Sequence, residues 1–386
     1  MFSMFQDGKP SARIVVCPSA ARAEYRAAKE LQRVVRRMSG IDLQVVNEAG
    51  NTNNIFIGRA ANGMEGGLSE DNLGYDGYLI KSTEKKLVLT GRQPYSSLYA
   101  VYHLLERHMA CGFFEEGEQI PRKDSFSITD TEVVSKPRFT WRIYFANMQD
   151  AYSGMRWWTW KEFKPWVDYL AKKRFNIIES GNIADCCGIG ALAAAKLGID
   201  IVLTDWQKAR IKLLRQVFDY ARESGIRILF RMHLHVGTPN AEPGFSPYVD
   251  GRQLQEFIDR YQAKTGEAIA VVPLEWCGES EIVLDPRDPV TGRFATAVVE
   301  SYGEALGTDH LYGLWLPTEE VWSEDDPVKT AELTHASVHE MTDAIKAGDE
   351  RAILFSPRVC TDNPTAEAQA KAVREAGLPV IGNMFL

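Results

Sequence analysis

The chain has 386 residues, a net charge of −8 and a pI near 5.5, with 45% apolar and 25% charged side chains. That balance is typical of folded globular proteins and excludes disordered and fibrous classes; the length suits two or three domains, or one α/β barrel with a smaller companion. Lysines and arginines are dispersed instead of gathered in a basic stripe, and no run of about 18 apolar residues occurs, so neither nucleic acid nor a membrane is an expected partner.

The opening MFSMFQDGKP lacks the basic-then-apolar order of a signal peptide. Cysteines at 17, 111, 186, 187, 277 and 360 show no framework spacing, which predicts reduced thiols and a cytoplasmic location. A periplasmic or secreted protein is the alternative if the true N-terminus lies elsewhere. ARIVVCP alternates like a strand, and Ser19 is placed to cap a helix through AARAEYRAAKELQRVVRRMSG, whose Leu31, Val34, Val35 and Met38 share a face. Short strands LQVV and NNIFIG follow, then a hairpin, DGYLIKSTEKKLVLTG, turning at Glu84-Lys85, and a second helix, SSLYAVYHLLERHM. This order predicts a small α+β domain over residues 1–135.

From Phe139 the rhythm becomes strand then helix. Strands are expected in FTWRIYFAN, FNIIES, IRILFRMHLH, HLYGLWLP, AILFSP and the closing apolar run, with helices at 161–174, 206–224, 294–306, 327–346 and 365–376. Asp326 and Pro327 read as N-cap and first residue of one helix, and Gly225 and Gly377 as C-caps. Alternation without a dinucleotide-binding glycine fingerprint predicts an α/β fold of the (β/α) TIM type over residues 136–386. About six of its eight strands are countable, so the barrel is expected to be C-terminally incomplete, unless the strand-like AIAVVPLEW within the 236–276 insertion supplies more.

Reactive groups in such barrels stand where strands run out into loops. That rule selects Asn147, Glu179, Asn182, His233, His235, Glu319, Glu320 and Asn383, with Trp315 beside the two acids as a further substrate-binding candidate. A carboxyl beside Trp315 and Trp322 would be partly desolvated, which raises its pKa and suits a general acid. Period-two alternation lets only one of Glu319 and Glu320 face the barrel mouth; both, with Glu324 and Asp325, also read as a solvated acidic loop. His233 and His235 fall on one strand face, as a metal hydrolase needs. The other histidines do not complete that set, because His310 is at the wrong end of its strand and His335 and His339 are mid-helix. Substrate hydrogen bonding or a satisfied core histidine is therefore the preferred reading of His233 and His235, with no metal and no cofactor expected. The stretch GNIADCCGIGALAAAKLGID reads as a small-residue insertion.

FKPWVDYLAKKRFNIIES, RILFRMHLHVGTPN, IVLDPRDP and above all GTDHLYGLWLPTEE resemble, in order and spacing, the catalytic barrel of family 89 α-N-acetylglucosaminidases. AAKELQRVVRRMSG, GYLIKSTEKKLVLTG and SSLYAVYHLLERHMACGFFEEGEQIP resemble the N-terminal domain shared with α-glucuronidases. The resemblance implies a retaining hydrolase of a terminal α-linked sugar, with two carboxylates about 5–5.5 Å apart. It aligns the family's Asn-Glu pair with Thr318-Glu319, making Glu319 the acid/base. It places Asn147, Asn182, His233 and Trp276 near the sugar pocket. The threonine in place of asparagine weakens the case for an N-acetyl group, and the family's nucleophile strand lies beyond Leu386; Glu179 and Glu275 are conceivable substitutes. Two further expectations remain open, an α-glucuronidase-like hydrolase and a non-catalytic carbohydrate-binding barrel, with a carbohydrate as partner and self-association undecided.

Overall fold

The computed structural model describes the chain except for residues 62–69, 146–154, 181–187, 234–250, 277–278, 316–319, 323–325, 357–365 and 380–386. At positions 70–71, 145, 156, 233, 251–253, 274–276, 279–281, 315, 320–322 and 366 it describes the backbone alone. Two compact units emerge. The first comprises Met1–Tyr144 with Lys161–Ile177 and Tyr220–Ile226, the second Phe145–Trp160, Ile178–Asp219 and Arg227–Leu386.

In the first unit, β1 (Ala12–Val16), β2 (Val45–Val46), β3 (Asn53–Ile57), β4 (Tyr78–Ser82), β5 (Lys86–Gly91) and β6 (Glu132–Ser135) form one sheet in the order β6-β4-β5-β3-β1-β2. β1 and β5 run parallel to β3, whereas β4 is antiparallel to both β5 and β6, as the hairpin reading requires. Helix α1 (Arg22–Ser39) buries Ala27, Ala28, Leu31, Val34, Val35 and Met38, so its apolar stripe is the predicted one. Its start differs from expectation. Ala21 is the N-cap, and the cap bond comes from Glu24, whose Oε2 accepts from Ala21 N at 2.7 Å. Ser19 is held elsewhere, its hydroxyl 3.2 Å from Cys17 Sγ and its carbonyl accepting from Arg59. The buried Glu24 also accepts from the Arg59 backbone N–H and guanidinium. Gly58, at φ +60°, leaves the space that this carboxylate fills, so a side chain there would be excluded by conformation and by contact.

Helix α2 (Ser96–His103) ends in a wider turn, Leu104–His108. The strand Gly117–Gln119 presents Glu118 to three cations: Arg33 and Arg37 of α1, and Lys172 at the end of α3 (Trp160–Lys172). Asp76, 1% exposed, is paired with Arg142 and accepts from Asn176 at 3.1 Å.

The second principal sheet is built from β7 (Ile143–Phe145), β8 (Ile177–Glu179), β9 (Arg227–His233), β12 (Leu311–Trp315) and β14 (Ile353–Phe355), neighbouring in sequence order. Strands that neighbour in the order they occur describe progressive winding in one direction, unlike the reversal of a doubly wound sheet. β9, β12 and β14 are parallel. Helices α4 (Ile189–Lys196), α5 (Asp205–Glu223), α6 (Gly251–Thr265), α7 (Pro289–Leu306), α8 (Pro327–Gly348) and α9 (Ala366–Glu375) lie between or after the strands in sequence. Among the described residues the sheet has five strands and does not close on itself.

The strand expected in AIAVVPLEW exists as β10 (Val271–Trp276), but it supplies no barrel strand. It pairs antiparallel with β11 (Glu279–Leu284) and β13 (Glu320–Trp322) in a separate three-stranded sheet. Val272 and Val283 bury their apolar faces with Leu333 of α8, which accounts for the placement of this sheet. No helix among the described residues is long and apolar enough to cross a membrane.

Candidate active site

The sheet's two faces differ in chemistry. Phe230 of β9 meets Tyr302 of α7 at 4.6 Å between ring centroids, and Phe218 of α5 and Tyr312 of β12 at 6.2 Å each. Positions 230 and 312 thus belong to the helix-covered apolar face. Alternation assigns positions 229, 231 and 233 of β9, with 311, 313 and 315 of β12, to the opposite face. The parallel register pairs Arg231 with Gly313 and His233 with Trp315, and carries Gly313 on to Phe355 of β14.

On that opposite face β9 carries a charge into the interior. Arg231, 2% exposed, donates from Nε to Glu179 Oε1 at 2.6 Å and from Nη2 to Oε2 at 3.3 Å, and Glu179 is 1% exposed. Two parallel bonds match guanidinium to carboxylate geometry and offset part of the desolvation of both ions. The neighbouring Ser180 donates its backbone N–H to Leu229 O at 2.8 Å, and its hydroxyl accepts from Arg231 N at 3.3 Å. Glu179 is therefore committed to an ion pair at the end of β8, which argues against the nucleophile role considered from the sequence. Arg231 was missed there. An arginine inside the apolar run RILF-R-M is the signal that could have found it, since a buried charge must be paired.

Two residues beyond Arg231 and Gly313, past the Met232–Leu314 pair, His233 and Trp315 close the paired segment of β9 and β12 at its C-terminal end. Trp276, the last residue of β10, lies across from Glu320, the first of β13. The backbone thus places four of the expected residues as two register pairs, in separate sheets. It also corrects one detail: Glu320 begins a strand instead of continuing a loop. Asn147, Asn182, His235, Glu319 and Asn383 lie outside the described residues, and Glu275 is placed by backbone alone, opposite Val321.

At the other end of β12, His310 Nδ1 lies 2.9 and 2.7 Å from the two Asp349 oxygens, and Tyr312 donates to Asp349 at 2.9 Å. Burial raises the Asp349 pKa, but the bonds from His310, Tyr312 and the Arg351 N–H outweigh it and leave the carboxyl below its usual value. This cluster lies where strands begin, the end of a parallel barrel associated with stability instead of chemistry. The reading of His310 as remote from the strand's functional end agrees with that position.

Residues 6–104 match the model of the glycosyl hydrolase family 67 N-terminus. That stretch is similar to the domain that stands at the N-terminus of family 67 glycosyl hydrolases. No curated protein matches the chain. Among solved structures, it is similar to the family 20 β-N-acetylhexosaminidase of Streptomyces coelicolor A3(2), at 15% identity and TM-score 0.57 over 98% of this chain and 71% of that one. It is similar also to the family 20 exo-β-N-acetylglucosaminidase of Vibrio harveyi bound to N-acetylglucosamine, at 14% identity and TM-score 0.54, over 98% of this chain and 57% of the other. A family 89 glycoside hydrolase from Clostridium perfringens, in complex with 2-acetamido-1,2-dideoxynojirmycin, aligns at 13% identity and TM-score 0.61 over 91% of this chain. The chain spans 38% of that enzyme. Its fold is shared with glycoside hydrolases.

Proposed function

We propose that the chain is the sugar-cleaving module of an α-glycoside hydrolase acting on a terminal amino sugar, with Glu319 as acid/base. The observation that supports this most is the pairing at the C-terminal end of the parallel sheet, where His233 and Trp315 are register partners. Glu319 sits four residues beyond Trp315 and directly before Glu320, itself across from Trp276. Trp315 and Trp322, four residues before and three after Glu319 in the sequence, are of the type that offers a flat face to a sugar ring. Glu319 then protonates the glycosidic oxygen as a second carboxylate, which the described residues do not identify, displaces it at the anomeric carbon; Glu319 later removes a proton from the water that displaces that carboxylate and releases the sugar. Glu320 is the alternate acid. Asn147, Asn182, His233 and His235 contribute hydrogen bonds to ring hydroxyls.

The similar structures include a β-N-acetylhexosaminidase, an enzyme holding N-acetylglucosamine and one holding an acetamido-deoxynojirimycin. All three point toward a 2-acetamido sugar. A second reading, an α-glucuronidase-like hydrolase, is favoured by the family 67 match at residues 6–104. Substrate competition separates them: protection of the chain against heat by N-acetylglucosamine but not glucuronate supports the first.

The acid role has its own test. Glu319→Gln should lower kcat on a substrate with a poor alcohol leaving group by about 10²–10⁴-fold, the range of general acid catalysis. An activated aryl glycoside, which needs little protonation, should lose much less. Equal losses on both substrates would reject Glu319 as the proton donor.

A further inference from the structure

Helices α8 and α9 place three potential ligands at one point on their shared surface. His335 and His339 stand one turn apart on α8, with ring centroids 4.2 Å apart and planes inclined at 31°. Glu375, the last residue of α9, reaches His335 Nε2 at 3.0 Å through Oε2. One donor atom from each of the three lies within 4.8 Å of the others. Ligands held tetrahedrally at about 2.0–2.1 Å from zinc are roughly 3.3 Å apart, so closure around an ion needs only small side-chain rotations.

Two features separate this cluster from an ordinary surface ion pair. His339 Nε2 is buried and has no hydrogen-bond partner among the described residues, and its ring lies against that of His335. A buried ring nitrogen left unsatisfied is costly, and an ion is one of the few things that satisfies it. The carboxylate also ends a helix, where the backbone dipole disfavours negative charge; a bound dication reverses that term. Two imidazoles and one carboxylate match zinc and its transition-metal neighbours, whereas calcium and magnesium take oxygen ligands.

We propose that His335, His339 and Glu375 form a divalent transition-metal site that clips α9 to α8, water completing the coordination. This site is separate from His233 and His235, and it does not depend on the glycosidase reading. The test is calorimetric titration of the full chain, stripped with chelator, using Zn²⁺, and visible absorption with Co²⁺ as an independent view of coordination. One equivalent should bind, with a rise in Tm. His335→Ala should weaken that binding by at least about 10-fold, the lower bound seen when even outer partners of a ligand are removed. Glu375→Gln should weaken it as well, and His335→Ala/His339→Ala should abolish it. His233→Ala should leave it unchanged. Absence of saturable binding, or undiminished binding in the double variant with native circular dichroism, would overturn the proposal.

Discussion

Arg231 and Glu179 show what a single pair of residues decides in this molecule. Both are nearly excluded from water and each satisfies the other through two bonds. Removing one charge leaves its partner buried and uncompensated, which costs about 3–5 kcal/mol. Glu179→Gln should therefore lower the urea midpoint strongly, while Glu179→Leu/Arg231→Met, which removes both ions, should recover most of the loss. Full stability of the single variant would mean that the pair does not hold the end of β8. Glu179 was legible in the sequence as a residue at a strand's end, but its partner was not, because pairing across strands depends on register and leaves no local trace. Glu24 makes the same point at the start of α1. Ser19 has the better capping chemistry in isolation, yet Glu24, bound also to Arg59, sets the boundary.

Elements with strong periodicity were readable. β1, β3 and the β4–β5 hairpin follow from alternation, and α1 and α5 from apolar stripes at helical spacing. Asp326 caps α8 as expected, accepting from Val328 N at 2.9 Å. The Asp288-Pro289 pair does the same for α7, which is why that helix starts at Pro289 and not at 294. The helix α4 was hidden in a run of glycines and alanines that lacks an amphipathic pattern, and β10–β11 in an antiparallel hairpin inside an otherwise parallel rhythm. Contacts between elements produce a further expectation. Burial raises the Glu118 pKa, but bonds and charges from Arg33 and Lys172 prevail and bring it down to about 2. A carboxylate with a depressed folded pKa stabilises the fold above its unfolded value, near 4.3, and loses that contribution as pH falls toward 2. Thermal melting of Glu118→Gln should show a lower Tm than the natural chain at pH 7, with the gap narrowing steadily below about pH 4. A pH-independent gap would exclude this linkage.

For the whole molecule, sequence and structure meet on the glycoside hydrolase signature. The resemblance of the first stretch to a domain shared with α-glucuronidases is matched by the family 67 N-terminal model over residues 6–104. The α/β alternation appears as a progressively wound sheet, shared in fold with family 20 and family 89 enzymes. Closure into a barrel extrapolates from the alternation, and the five described strands do not by themselves show it. The pattern does not encode the sugar, because substrate choice depends on loops beyond the strand ends. The measurement that bears most directly on the account is proton NMR of the full chain acting on paired aryl α- and β-N-acetylglucosaminides, following the anomeric signal of the sugar as it first appears. The account predicts consumption of the α-linked substrate with the α-anomer released first. Cleavage of the β-linked substrate alone, first release of the β-anomer from the α-linked one, or no released sugar from either, would contradict it.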